Sequence, residues 1–254
     1  MQQAHASDRE LPIDGAFNVR DIGGLPTAGG GVTRRGLVYR SGDLARLTVA
    51  GADQLRALGV ATVVDLRTSL EVERRGRFPL EGNGIAYRHW PLLDRSATES
   101  ETRLADLPPN LLDQLNRLIA TEGGRNLAQV LTWLAEPGTL PVAIHCVAGK
   151  DRTGMVIAVL LALLEVPDEE IAEDYALSEA GLAALRSWAE THEPEVAAWL
   201  DRVPPGLLEA KPVQMLETLR WLGEQHGSIE AYARSVGVGA ETIAALRELL
   251  RSPA

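Results

Sequence analysis

The polar and apolar positions of this chain follow two periods, and the change between them falls just past its middle. In the first half, Leu37-Val38-Tyr39, Val60 to Asp65 and Ile85 to His89 are short apolar runs bounded by turn-forming residues, which predicts strands. Between them, Leu47 to Leu58 and Leu111 to Ala135 repeat apolar residues at helical spacing, the second interrupted at Gly123-Gly124. Strands that alternate with helices predict an α/β fold with a mostly parallel central sheet flanked by helices. Leu140 to His145 is apolar or proline up to the histidine, so this strand is expected at the centre of the sheet, buried on both faces.

From Thr153 onward the period is helical almost throughout. Pro167-Asp168-Glu169-Glu170 reads as a helix start with acidic residues in its first turn, and Ser228 as the cap of another helix. Met215, Leu219 and Leu222 mark the core stripe of the helix between them. The C-terminal half is therefore expected to be a helical layer. Gly29-Gly30-Gly31 reads as a turn, since no Lys-Ser/Thr pair follows it. No Pro/Ser-rich or charged linker and no repeat divides the chain, so residues 1–254 are expected to form one domain.

Composition narrows the function. The 25 basic and 35 acidic side chains leave a net charge of −10, which argues against a broad electrostatic grip on nucleic acid or anionic lipid. Neither a nucleic-acid partner nor stable membrane insertion is expected. The first thirty residues lack the apolar run of a signal sequence, and no later run could span a bilayer free of charges. The expected location is cytoplasmic, with signal-less secretion left open. A single cysteine cannot form an internal disulfide, and it shows no metal-ligand spacing with the five histidines. Neither a metal nor a cofactor is expected, and the oligomeric state is not written in the sequence.

That cysteine, with one of only two lysines, lies in His145-Cys146-Val147-Ala148-Gly149-Lys150-Asp151-Arg152-Thr153-Gly154, between the central strand and the apolar helix from Met155. A polar loop at this junction has a physical use. When it curls, the backbone N–H groups of Val147, Ala148, Gly149, Lys150, Asp151 and Arg152 converge on one oxyanion, and the helix adds the positive end of its dipole. Gly149 is free to take positive φ. The same field favours a thiolate, since a thiol pKa of about 8.5 falls to roughly 3.5–7.5 at helix N-termini. Arg152 is always protonated, and its fork fits two phosphoryl oxygens. Cys146 is therefore expected to be a nucleophile and Arg152 a phosphate ligand. An inert structural thiol does not call for so polar a run. A thiol protease is disfavoured because His145, next to the cysteine in a strand, faces the other way; a hydrogen bond that orients the loop is its expected role. An inactive phospho-ligand binding module and a rhodanese-type sulfurtransferase are the alternatives.

These residues resemble the active-site signature of the tyrosine-phosphatase superfamily, and the chain is similar to its bacterial group of mycobacterial B-type and phosphoinositide-active phosphatases. The likeness extends over Asn18-Val19-Arg20-Asp21, Tyr39 to Leu44, Asp65-Leu66-Arg67 with Glu71, Asp174-Tyr175 and Tyr232 to Leu250. Val19 stands where the family usually has an aromatic residue. The resemblance implies a tyrosine-phosphatase-like fold and hydrolysis of phosphomonoesters through a cysteinyl-phosphate on Cys146. Protein phosphotyrosine is the implied substrate, with phosphoserine, phosphothreonine or phosphoinositides beside it. It also implies a role for Asp151 and associates Lys150 with phosphoinositide activity.

The leaving oxygen needs a proton, and three aspartates compete to supply it. Asp94 follows Trp90-Pro91-Leu92-Leu93 on a loop after a strand and is favoured by position. Asp151 lies inside the cradle and is favoured by the resemblance. Asp65 ends a strand, but an ion pair with Arg67 is its expected role. Arg20 and Arg40 either border the pocket or pair with Asp21 and Asp43. Lys150 is either a solvated loop residue or a second cation for an extra phosphate. A helical lid is expected within 178–224, over Ala183 to Glu209, where related phosphatases cover the cysteine.

Overall fold

The computed structural model describes residues 8–79, 84–93 and 111–253. Its main sheet has the order β1-β3-β6-β4-β5, with β1 at Arg20–Asp21, β3 at Val38–Ser41, β4 at Thr62–Asp65, β5 at Ala86–His89 and β6 at Val142–His145. The strands β3, β6, β4 and β5 are parallel, and β1 adds an antiparallel edge. β6 is central, as its apolar run predicts: Val142 and Ile144 enter the core on one face and Ala143 on the other.

Register places the chemistry. The four parallel strands end level, so Ser41, His145, Asp65 and His89 form one row at the carboxyl edge of the sheet. Ligands of open α/β sheets bind outside that edge.

The two faces are covered unequally. Tyr39, Val63 and Ala143 pack under helix Val49–Ala57 through its Ala52 and Leu55. Val38, Val64, Val142 and Ile144 pack on the other face in the larger core, which includes helix Asp151–Leu163. That helix is apolar almost all round because further helices surround it: Leu111–Glu122, Gly124–Leu134, Asp168–Ala176, Ile229–Ser235 and Ala240–Leu250. A separate two-stranded ribbon joins β2, Val32–Thr33, to β7, Arg251–Ser252.

The helices differ from expectation in two places. The central helix starts at Asp151 rather than Met155, because the polar residues of its first turn interrupt the apolar pattern. Helix Ser69–Arg75 was not foreseen, since it buries no residue and shows no apolar stripe. Among the described residues no helix is long and apolar enough to cross a membrane.

Candidate active site

The cysteine loop leaves β6 after His145 and enters helix Asp151–Leu163 directly. Gly149 has φ of +68°, and a Cβ there would lie 2.4 Å from the Ser41 carbonyl oxygen, so neither conformation nor space admits a side chain. This close approach to β3 curls the loop. Among the described residues, the N–H groups of Val147, Ala148, Gly149 and Lys150 donate to no acceptor in the protein. Four unspent donors in succession, beside a helix N-terminus, are suited to a tetrahedral oxyanion. Cys146 starts the curl and is only 2% exposed, packed at the edge of the larger core.

Arg152 occupies the first turn of the helix, and its Nη1 and Nη2 donate to the two carboxylate oxygens of Glu71 at 2.5 and 2.8 Å. Glu71 is itself fixed by a capping box: its Oε2 accepts from the Thr68 N–H at 2.7 Å, and Thr68 Oγ1 accepts from the Glu71 N–H at 3.1 Å. Burial pushes the Arg152 pKa down, but Glu71 and the Cys146 sulfur outweigh it and hold the guanidinium charged. Burial likewise raises Glu71, and Arg152 more than reverses the shift. This partner role of Glu71 was missed from sequence; the Thr68-x-x-Glu71 box was its available signal.

Asp151 stands beside the loop with 19% of its side chain exposed, accepting from Lys150 Nζ at 2.6 Å. Lys150 is not the solvated residue that was one of its two readings. It is 1% exposed, and its Nζ also donates to the Tyr175 hydroxyl at 3.3 Å. Its ammonium is thus committed to the protein interior. Asp94 lies outside the described residues.

Arg20 and Arg40 do not pair with Asp21 and Asp43. They face each other across the β1–β3 ladder, so both side chains leave the sheet on one face, whereas Asp21, the next residue, leaves on the other. Helix Asp168–Ala176 meets them there. Asp174 binds Arg40 at 2.6 Å, Arg20 at 3.2 Å and Arg9 at 2.7 Å. Burial and repulsion by Arg40 bring the Arg20 pKa down to about 9 in spite of Asp174. Burial pushes Asp174 up, but Arg20, Arg40 and Arg9 outweigh it and hold its carboxyl well below the usual range. Asp21 instead accepts from the Gly23 and Gly36 N–H groups at 2.8 Å, and Asp43 binds Arg67 at 3.0 Å and Arg75 at 2.8 Å.

Asp65 and Arg67 form the buried ion pair expected of them, at 2.6 and 2.9 Å, with the Tyr87 hydroxyl donating to Asp65 at 2.9 Å. His145 is fully buried, and its Nδ1 donates to the Cys146 carbonyl at 3.2 Å, which is the loop-orienting contact foreseen. Above the loop lies helix Ser178–His192, seated so closely that a Cβ on Gly181 would lie 2.6 Å from Asn18 Cβ. A small cavity between them is lined by Phe17, Gly42, Val147, Ala148, Leu182 and Leu185.

A buried thiol beside a run of unspent amides, with an arginine fixed next to it, has the chemistry to hold an oxyanion. The chain belongs to the tyrosine phosphatase family, whose model matches residues 11–252. It is 32% identical over 280 residues to the triple specificity protein phosphatase PtpB of Mycobacterium tuberculosis, an alignment covering 95% of this chain and 98% of that one. It is 29% identical over 222 residues to a tyrosine-protein phosphatase of Nostoc commune, covering 82% of this chain and 72% of that one. The family resemblance seen in the signature and the tyrosine-phosphatase-like α/β fold expected from it are both borne out.

Proposed function

We propose that this chain hydrolyses phosphotyrosine in proteins through a cysteinyl-phosphate on Cys146. The row of four unspent N–H groups, between the thiol and an arginine held by Glu71, carries this reading. The amides of Val147 to Arg152 receive the non-bridging phosphoryl oxygens. Glu71 engages only part of the Arg152 fork, leaving the remaining N–H donors for the phosphoryl group. Sulfur attacks phosphorus in line, the bond from phosphorus to the tyrosyl oxygen breaks, and Asp151 gives that oxygen its proton. Water then attacks phosphorus, the S–P bond breaks, and Asp151 takes the proton back. Asp94 is the competing acid.

The name of the M. tuberculosis relative supports substrates beyond phosphotyrosine. Phosphoinositide activity is less well supported, because the buried Lys150 offers no second cation to an extra phosphate. A cytoplasmic phosphoprotein is the partner this reading implies. The wild type should hydrolyse phosphotyrosine peptides and p-nitrophenyl phosphate with inhibition by vanadate, and Cys146→Ser should lose at least about 10⁴-fold in kcat. Asp151→Asn should slow peptide hydrolysis more than p-nitrophenyl phosphate, whose leaving group needs a proton less; equal losses would move the acid to Asp94. A wild type that turns over thiosulfate and neither ester would end the reading.

We further propose that helices Ser178–His192 and Pro194–Arg202 act as a lid over the loop. Glu193, at their joint, accepts two bonds from Arg46 at 2.7 and 2.6 Å. Hydrogen exchange should be faster in residues 178–202 than in helix Asp151–Leu163, and equal protection would reject the lid.

A further inference from the structure

A trans peptide unit is planar, with its C=O and N–H pointing in opposite directions. A donor that fixes a carbonyl on the outside of a curl therefore turns the following N–H toward the inside. Four consecutive carbonyls of the cysteine loop are held from outside. His145 Nδ1 donates to the Cys146 oxygen at 3.2 Å, and the Asp43 N–H to that of Val147 at 2.9 Å. Asn18 Nδ2 donates to the Ala148 oxygen at 2.9 Å, and Arg40 Nη2 to that of Gly149 at 2.8 Å. The N–H groups that follow these carbonyls are those of Val147, Ala148, Gly149 and Lys150, the same four that remain unspent.

We propose that Asn18 and Arg40 are positioning residues that aim the loop amides at the ligand, with Asp174 fixing both from behind. Arg40 is 1% exposed, and Asp174 Oδ2 holds its other terminal nitrogen at 2.6 Å. Asn18 is set at one remove: its Oδ1 accepts from Arg20 Nη1, and Arg20 Nη2 donates to the Asp174 carbonyl at 2.7 Å. Asn18 has φ of 59°, a left-handed conformation that asparagine tolerates better than most residues and that helps direct its amide at the loop. Without either donor, a carbonyl oxygen loses its anchor and its peptide can rotate. An oxygen turned inward replaces a donor with a repulsive group facing both thiolate and phosphate.

The proposal rests on Cys146 facing the amide cradle as a nucleophile, but its test does not need turnover. The sole cysteine is alkylated with iodoacetamide across a range of pH, and orthovanadate binding and thermal stability are measured alongside. Asn18→Gly keeps the backbone conformation and loses the amide; Arg40→Lys keeps the charge and loses the fork. Arg9→Lys is the control, because Arg9 touches Asp174 and the Asp21 carbonyl but no loop carbonyl. Both test variants should raise the alkylation midpoint by about one pH unit and weaken vanadate binding roughly tenfold, while Arg9→Lys leaves both in place. A midpoint and vanadate affinity unchanged in Asn18→Gly, or moved as far in Arg9→Lys, would overturn the proposal, and Asn18→Gly decides alone should Arg40→Lys not fold. A wild type inert toward phosphate esters, whose midpoint still shifts in Asn18→Gly, would refute the phosphatase reading and leave the positioning role standing.

Discussion

Two charge clusters flank the cysteine loop in the chain's fold: among the described residues, a single carboxylate, Asp174, faces the buried guanidiniums of Arg9, Arg20 and Arg40, whereas Asp65 and Asp43 face Arg67 and Arg75. Three cations against one anion leave the first cluster with two positive charges in excess, while two against two leave the second balanced. The balanced cluster has the form of a scaffold: it ties the end of β4 to the loop after β3 and to Tyr87. The unbalanced one is costly, as the depressed pKa of Arg20 shows. In a protein of net charge −10, such an excess behind the loop favours an anion in front of it, as the proposed phosphoryl site would supply. Burial alone does not distinguish the two clusters; their charge balance does.

Removing one carboxylate from each is the strongest way to break this comparison. Asp174→Asn leaves three buried guanidiniums with no carboxylate and should cost about 3–5 kcal/mol, lowering Tm by roughly 6–20 °C. Asp65→Asn leaves Arg67 with Asp43 at 3.0 Å and the Gly76 carbonyl at 2.9 Å, so about 1–3 kcal/mol is expected. Equal losses in thermal unfolding of the two carboxylate variants would show that charge balance does not separate the clusters.

The balanced cluster was partly legible in the sequence, and the unbalanced one was not. Asp65 and Arg67 are two residues apart at a strand end, so their pairing follows from local geometry. Asp174 lies 134 residues from Arg40 and 154 from Arg20, and nothing local connects them. The antiparallel edge strand β1, which places Arg20 opposite Arg40, is two residues long and has no period to detect. The central strand, the cysteine loop and the first helix of the larger core were legible because their apolar runs are long or their residue types scarce. Glu71 stands in a recognisable motif, yet its contact with Arg152 spans 81 residues and depends on a helix without a buried face.

A third ion pair sharpens the contrast, since Arg152 and Glu71 keep 16% and 27% of their side chains exposed. Solvent screens such a pair, so its contribution to stability is expected to stay below about 1 kcal/mol. Its value lies in orientation. Glu71→Gln keeps the shape but weakens the two charge-assisted bonds, and kcat/KM for an aryl phosphate should fall about tenfold with Tm nearly unchanged. A Tm loss approaching that of Asp174→Asn, at full activity, would place this pair with the scaffold instead.

The smallest effect concerns His145, which joins the balanced cluster to the loop. Burial lowers its pKa from 6.5, Asp65 opposes the shift without reversing it, and the native imidazole stays neutral where the unfolded chain begins to take up a proton. The unfolded state then binds more protons than the native one, so this contribution to stability is present above about pH 6.5 and is lost as pH falls toward the native pKa. The slope cannot exceed about 1.36 kcal/mol per pH unit for one group. The carboxylates of Asp65 and Asp174, both held below their ordinary value of 3.8, add their losses only under more acid conditions. Urea unfolding at pH 7.5, 6.5 and 5.5 should therefore show a larger decline in stability over the lower interval than over the upper one. His145→Gln should flatten that decline, since glutamine can still donate to the Cys146 carbonyl but takes up no proton. A decline that survives the substitution would assign the titration to another group and leave His145 with the loop-orienting contact alone.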